Sequence, residues 1–274
     1  MIIAVDTGGT KTLVAGFSEA GDKLNQEKFP TPPSSEDYIK QVAETITRLS
    51  TDSEPRIISI ALPDITKGST SSYLVESFSH IPWKNFNVVE SLQVYFPNSK
   101  IVAANDANLG GLGEARMLEK VPNRVLYVTI STGIGTGIII DGNLDNDFTR
   151  AEGGHLMLEH NGTLQDWDSF GSGKAVYEQY GMYGSDISDP EIWKQITKSI
   201  SRGFLVLLPV IRPDLVIIGG SMGTHFNKYH QYLLQELVDN MPATLKKLPE
   251  FVQAQNPEEA VIYGCYQYAL DHLN

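Results

Sequence analysis

A single cysteine, Cys265, occurs in the chain of 274 residues. That excludes an intramolecular disulfide and a cysteine-built zinc site. It sits in the apolar run Val261-Ile262-Tyr263-Gly264-Cys265-Tyr266, the setting of a buried, inert thiol. Positive charge is scarce as well. The chain has 21 Lys and Arg against 33 Asp and Glu, a net charge of −12. Such a field repels a polyanion and no Lys/Arg cluster offsets it, so no nucleic-acid partner is expected. Long hydrophobic runs are missing. Stretches such as Phe204 to Leu208 fall far short of the ~20 residues that span a bilayer. The apolar start breaks at Asp6 with no basic segment before it, unlike a signal peptide. No membrane partner is expected, and the cytoplasm is the expected location. Tandem short repeats and low-complexity tracts are also lacking.

What the chain does have is a pair of look-alike segments about half its length apart. Ile2 to Val5 leads into Asp6-Thr7-Gly8-Gly9-Thr10-Lys11 and a second apolar run to Gly16. Leu126 to Ile130 leads into Ser131-Thr132-Gly133-Ile134-Gly135-Thr136-Gly137 and then Ile138 to Ile140. Each reads as strand, Gly/Thr turn, strand. Glycines let backbone N–H groups approach an anion, and hydroxyls add donors. Either segment alone reads equally as a β-hairpin without a ligand. Together they suggest two similar half-domains gripping one phosphate chain. Neither is a Walker A loop or a dinucleotide-binding fingerprint.

The rest of the chain alternates strands and helices. Ser34 or Ser35 caps a helix carrying Tyr38, Val42, Ile46 and Leu49 at helical spacing. Arg56 to Pro63 and Ile101 to Ala104 read as buried strands. Between them come a polar loop, Asp64 to Ser72, and a short helix, Asn87 to Phe96. Helices are expected at Leu109 to Met117, Asp189 to Val210, Phe226 to Val238 and Pro257 to Leu273, with a strand at Asp214 to Ser221. A βββαβαβα order repeated twice predicts an α/β protein of two lobes with an interdomain cleft. The expected lobes are 1–118 and 119–256, with 257–274 packing back on the first and a hinge near Arg116 to Asn123.

Asn105-Asp106 stands at the carboxyl end of a buried strand, where open α/β sheets bind ligands. Asp106 there can accept a proton from a hydroxyl attacking phosphorus, or it can cap a helix. Asp6 is anionic like a phosphate, which makes sense with Mg²⁺ and its waters between them. Glu152-Gly153-Gly154-His155 can present hydrogen-bonding groups to a polyol, or form a plain turn. His155 and His160 have metal-like spacing but no clear third ligand.

These segments, in order over the whole chain, resemble the ROK family (repressor, open reading frame, kinase) of sugar kinases. That family belongs to the actin/hexokinase superfamily of ATPases, with its two-lobe, ribonuclease-H-like fold. The resemblance places Asp6, Gly8, Gly9, Thr10 and Lys11 in the first phosphate motif. Thr132, Gly133, Gly135 and Thr136 fall in the second. Asn105-Asp106-Ala107-Asn108 is similar to the family's catalytic segment, so Asp106 inherits the general-base role and Asn105 a sugar contact. Glu152, Gly154 and His155 match a Glu-x-Gly-His sugar motif. Asp168, in Trp167 to Gly173, stands where another sugar-binding Glu is usual. Gly219 and Gly220, in Pro213 to Gly220, look like the adenosine motif. The resemblance implies ATP and Mg²⁺, a small sugar as partner, and leaves a homodimer open.

The departures fall on the sugar side. A Cys-rich zinc loop often follows the Glu-x-Gly-His motif. Here His160 to Asp166 stands in its place without cysteine, so no zinc site is expected. His80, in Ser79 to Trp83, stands where an Asn is usual. The implied activity is ATP-dependent phosphorylation of a hexose, foremost glucose at O6. N-acetylhexosamine or fructose phosphorylation is the alternative, then a sugar-responsive regulator. Regulators of this kind carry an N-terminal helix-turn-helix, and the first strand here begins at Ile2.

Overall fold

Ile2, Ile3, Ala4 and Val5 are wholly buried because β1 (Ile2–Thr7) lies at the centre of a sheet. The computed structural model describes residues 1–50, 54–63, 65–67, 73–75, 81–83, 86–245 and 247–273. These fall into two compact units, Met1–Gly113 with Val261–Asn274, and Glu114–Ala260.

In the first unit β1 pairs antiparallel with β2 (Lys11–Phe17), and β2 with β3 (Lys23–Pro30). β3 alternates half-buried and exposed residues, with only Phe29 buried, as an edge strand with one wet face does. α1 (Ser35–Leu49) starts where the Ser34 side chain accepts the Asp37 N–H at 3.1 Å, and it buries Tyr38, Val42 and Ile46. On its other side β1 runs parallel to β4 (Ile57–Leu62). A small antiparallel sheet follows, made of β5 (Ile65–Lys67), β6 (Tyr73–Val75) and β7 (Phe86–Asn87). The expected polar loop is therefore a strand over 65–67, paired with β6, while Asp64 and residues 68–72 lie outside the described residues. α2 (Val88–Gln93) is capped by Asn87 and is shorter than its sequence pattern suggested. β8 (Lys100–Asn105) then pairs parallel with β4 and leads into α3 (Asp106–Arg116). The sheet order is β3-β2-β1-β4-β8. β1, β4 and β8 run parallel, so Asp6, Ala61 and Ala104 align in register and Asn105 pairs with Leu62.

The second unit repeats this plan. β9 (Arg124–Ile130), β10 (Ile134–Ile140) and β11 (Asn143–Leu144) form an antiparallel meander. β12 (Met157–His160) and β13 (Thr163–Asp166) make a separate hairpin. α4 (Trp167–Gly171), α5 (Gly173–Tyr180) and α6 (Pro190–Ile211) follow. Next come β14 (Leu215–Gly219), parallel to β9, α7 (Gly220–Gly223), α8 (Phe226–Asn240), and β15 (Glu250–Gln253), parallel to β14. The order β11-β10-β9-β14-β15 has the same pattern of antiparallel and parallel neighbours as the first sheet. The core packs Trp167, Trp193 and Phe204 with the inner faces of β9 and β14. The β12–β13 hairpin, α4, α5 and β15 carry too few residues each for a periodic signal, and sequence reading missed them. Among the described residues no helix is long and apolar enough to cross a membrane.

α9 (Ala260–Asp271) returns to the first unit. It crosses α3 so closely that a Cβ at Gly264 would lie 1.7 Å from the Leu109 carbonyl oxygen. Cys265 beside it is fully buried, and burial pushes its thiol well above the usual range, so the thiol is unreactive. α9 begins three residues later than Pro257. The Glu114 carboxylate, 1% exposed, accepts the backbone N–H groups of Gln255 at 2.6 Å and Asn256 at 2.8 Å, holding that stretch out of the helix. The donors are only partly buried, so each lost bond is worth about 0.5–1.5 kcal/mol, or somewhat more with a charged acceptor. Glu114→Ala should therefore lower unfolding stability by about 1–3 kcal/mol, and Glu114→Gln by less, in urea titrations followed by circular dichroism. An unchanged midpoint in the Ala variant would show that this clasp contributes nothing.

Candidate active site

The first unit gathers its polar groups where its buried strands end. Asp6 is the penultimate residue of β1, Asn105 the last of β8 and Asp106 the first of α3. The Asn105 side chain accepts the Asn108 N–H at 3.1 Å, so the helix-capping duty falls on Asn105. One Asp106 oxygen accepts the Ala107 N–H at 2.7 Å. Burial pushes the Asp6 carboxyl up to about 7, the charge of Asp106 adds to the rise, and Lys28 opposes it. Two carboxylates thus stand close together at the parallel-strand ends.

The adjoining turn is tight. Gly8 donates its N–H to the Lys11 carbonyl at 3.0 Å, and a Cβ on Gly8 would crowd that oxygen at 3.2 Å. Thr31 braces the turn from outside: its hydroxyl donates to the Gly8 carbonyl at 2.7 Å and its N–H to the Thr10 carbonyl at 3.0 Å. Gly9 is half-buried, while Thr10 and Lys11 are exposed. Behind it the Thr7 and Tyr38 hydroxyls share a buried 2.7 Å hydrogen bond.

In the second unit the corresponding turn runs through Ser131, Thr132 and Gly133. Ser131 donates its N–H to the Gly133 carbonyl at 2.8 Å and accepts the Gly173 N–H at 2.7 Å. Thr132 is exposed at the tip. Asp168 accepts the Ile134 N–H, and a Cβ on Gly133 would strike its carboxylate at 2.7 Å. The Ser131 hydroxyl accepts the Ser221 N–H at 2.9 Å, tying the end of β9 to the residue after Gly220. Gly220 has φ +77°, and a Cβ there would lie 2.6 Å from the Ile130 carbonyl. Gly219 abuts the Tyr127 ring. Gly135 is half-buried within β10, paired with Thr129. Thr136 lies deeper than its motif suggested. It is 4% exposed, its hydroxyl accepts the Gly153 N–H at 3.0 Å, and it faces the Ala151 carbonyl at 3.4 Å. Its hydroxyl thereby braces the Glu152 segment from inside the fold.

Beside the 131–133 turn lies a cleft of about 530 Å³, lined among others by Thr132, Lys174, Tyr177, Tyr183, Ser221 and His225. The Tyr177 and Tyr183 rings stack at 4.6 Å. Burial, helped by Lys228, holds the His225 imidazole below its usual value, so it is neutral at neutral pH.

Glu152, exposed, precedes a 3₁₀ turn over Gly153–His155. A Cβ on Gly154 would overlap the Ile134 carbonyl at 1.9 Å, so glycine lets this turn dock on β10. His155 Nδ1 lies 3.6 Å from Asp166 Oδ2. The Asp168 carboxyl is raised by burial and by Asp166, against the pull of Ile134, His155 and Lys174. His155, Asp166 and Asp168 are therefore one electrostatic cluster. In place of a Cys-rich loop, Asn161 (φ 52°) and Gly162 (φ 80°) close the β12–β13 hairpin. Positive φ at both positions is the mark of a type I′ turn. His160 stacks on Phe170 at 4.2 Å. An exposed imidazole beside a carboxylate, with no thiolate, is a poor donor set for structural zinc. Among the described residues no three His, Cys, Asp or Glu side chains are placed to hold a metal. His80 lies outside the described residues.

Sequence reading missed Thr31, Asp166, Tyr177, Tyr183 and His225. For Asp166 a signal existed: Asp166 stands three residues before Ser169, whose N–H it accepts at 2.9 Å as a helix cap.

The model of the ROK family matches residues 2–271. A glucokinase of Thermotoga maritima is 26% identical, covering 96% of this chain and 95% of its own. A ROK family glucokinase from Streptomyces griseus, solved with glucose and AMPPNP, superposes with a TM-score of 0.80 at 20% identity. It covers 97% of this chain and 98% of its own. An inorganic polyphosphate/ATP-glucomannokinase from Arthrobacter sp. strain KM has a TM-score of 0.73 at 26% identity, covering 99% of each chain.

The raised Asp6 carboxyl has a consequence for pH. The fold binds this proton more tightly than the unfolded chain does. The stability so gained is complete below 3.8 and lost as pH rises through about 7. Asp6→Asn should raise the melting temperature of the ligand-free protein by a few degrees near pH 8, and by less near pH 5. A gain equal at both pH values, or none, would contradict the carboxylate pair.

Proposed function

Since the chain belongs to the ROK family, we propose that it transfers the terminal phosphoryl group of ATP to a hexose, foremost to O6 of glucose. The observation that carries this reading is Asp106. It stands at the carboxyl end of a buried strand beside Asp6, with the capping duty taken over by Asn105. The glucokinase among the relatives and the glucose-bound neighbour support the choice of hexose.

In this reading Asp106 accepts the proton of the attacking hydroxyl as the oxygen–phosphorus bond forms and the bond to ADP breaks. Asn105, Glu152, His155 and Asp168 orient the sugar. The turns at Gly8 to Lys11 and at Thr132-Gly133 offer backbone N–H groups, hydroxyls and the Lys11 ammonium to the phosphates. Gly219 and Gly220 keep the end of β14 close-packed beside the cleft, which takes the nucleoside. That cleft, with its stacked tyrosines, favours a nucleotide over inorganic polyphosphate as donor. Asp6 and Asp106 are hard oxygen donors of the kind Mg²⁺ takes, one or two carboxylates beside phosphates. Asp6 would hold the ion through water. Magnesium bound there supplies positive charge against the phosphate oxygens.

A coupled assay of ADP release over a panel of hexoses tests the reading. Asp106→Asn should lower kcat by roughly 10²–10⁴-fold, the usual worth of a general base, with hexose and ATP binding near the parent's. A variant that turns over like the parent, or a parent that releases no ADP with any hexose, would refute it.

A further inference from the structure

Asp166 belongs to neither of the phosphate turns nor to the Glu152–His155 segment, yet the fold fixes it against His155. Three constraints do so. Asp166 ends β13, and the N–H of the next residue, Trp167, donates to the Leu156 carbonyl at 2.9 Å. The residue after His155 and the residue after Asp166 are thus bonded to each other. Asp166 Oδ1 accepts the Ser169 N–H at 2.9 Å, and the Ser169 hydroxyl donates to the Asp166 carbonyl at 2.7 Å, which leaves Oδ2 turned to the imidazole. His155 is held in its 3₁₀ turn by its N–H bond to the Glu152 carbonyl at 3.1 Å. The hairpin that delivers Asp166 is closed by its own side chains. Glu159 accepts the Gly162 N–H at 2.7 Å across its turn, and His160 lies flat on Phe170.

We infer that Asp166 is a positioning residue for His155: its carboxylate keeps the imidazole proton on Nδ1 and leaves Nε2 as a hydrogen-bond acceptor for a hexose hydroxyl. Which ring nitrogen carries the proton is set by what the other faces. A negative oxygen 3.6 Å from Nδ1 favours the proton there. The side chain is 62% exposed, so the ring is accessible to a ligand. The carboxylate–imidazole pairing does here what a second partner does for a metal-bound histidine, orienting the ring from behind. This inference rests on the hexose-kinase reading above.

Asp166→Ser is the informative variant, because serine keeps a capping oxygen for the Ser169 N–H while removing the carboxylate. Nitrogen-15 NMR of the imidazoles should show His155 of the parent protonated at Nδ1, and Asp166→Ser should lose that bias. In kinetics the variant should raise KM for the hexose by about 3–10-fold, the worth of one weakened hydrogen bond, with kcat and the KM for ATP retained. In His155→Ala the further change Asp166→Ser should add nothing to KM. A parent His155 protonated at Nε2 would overturn the inference, as would additive effects in the double variant. If the parent phosphorylates no hexose, the kinase reading fails, and the NMR measurement still decides whether Asp166 sets the tautomer.

Discussion

A strand buried on both faces can carry charged side chains only where it ends, and that constraint arranges this molecule. β1, β4 and β8 are apolar inside the sheet apart from the buried Ser59 of β4, and they run parallel, so their carboxyl ends come out together. Asp6, Asn105 and Asp106 are brought to one edge because the interior cannot hold them. In the second unit β9 and β14 obey the same rule. Their ends deliver the Ser131–Gly133 turn and Gly219-Gly220 side by side. The chemistry proposed for each unit is located by sheet topology before any side chain is considered.

Acidity is the second constraint. In the proposed reading a chain with net charge −12 handles a polyphosphate with catalytic groups that are themselves acidic. Burial raises the Asp6 and Asp168 carboxyls, and the neighbouring charges of Asp106 and Asp166 add to the rise. Such clusters hold their charge only with a positive partner, and the fold provides different ones. Backbone N–H groups at Ala107 and Ile134 each meet one carboxylate. His155 meets Asp166. For the pair at Asp6, a hard divalent cation is the partner that the donor set suits.

Much of this was legible in the sequence. The two Gly/Thr turns, the buried strand before Asn105-Asp106 and the Ser34-capped helix all follow from residue type and period, and the structure places them accordingly. Two kinds of feature were not legible. Short elements such as β12, β13 and β15 carry too few residues for a period to show. Thr136 illustrates the second kind: nothing in the spelling of a glycine-rich run shows that its hydroxyl meets the Gly153 N–H, a contact that only the packing reveals. Asp166 is the converse, a residue that reads as an ordinary helix cap until the hairpin turns its second oxygen toward His155.

The central claim is that Asp106 is the group that takes the acceptor's proton. A crystal structure of the protein with glucose and AMPPNP tests it most directly. The account predicts an Asp106 carboxylate oxygen within hydrogen-bond distance, ~2.6–3.2 Å, of the sugar hydroxyl that points at the terminal phosphorus. A sugar bound with that hydroxyl on another side chain, and Asp106 engaged only with Ala107 and the metal, would contradict it.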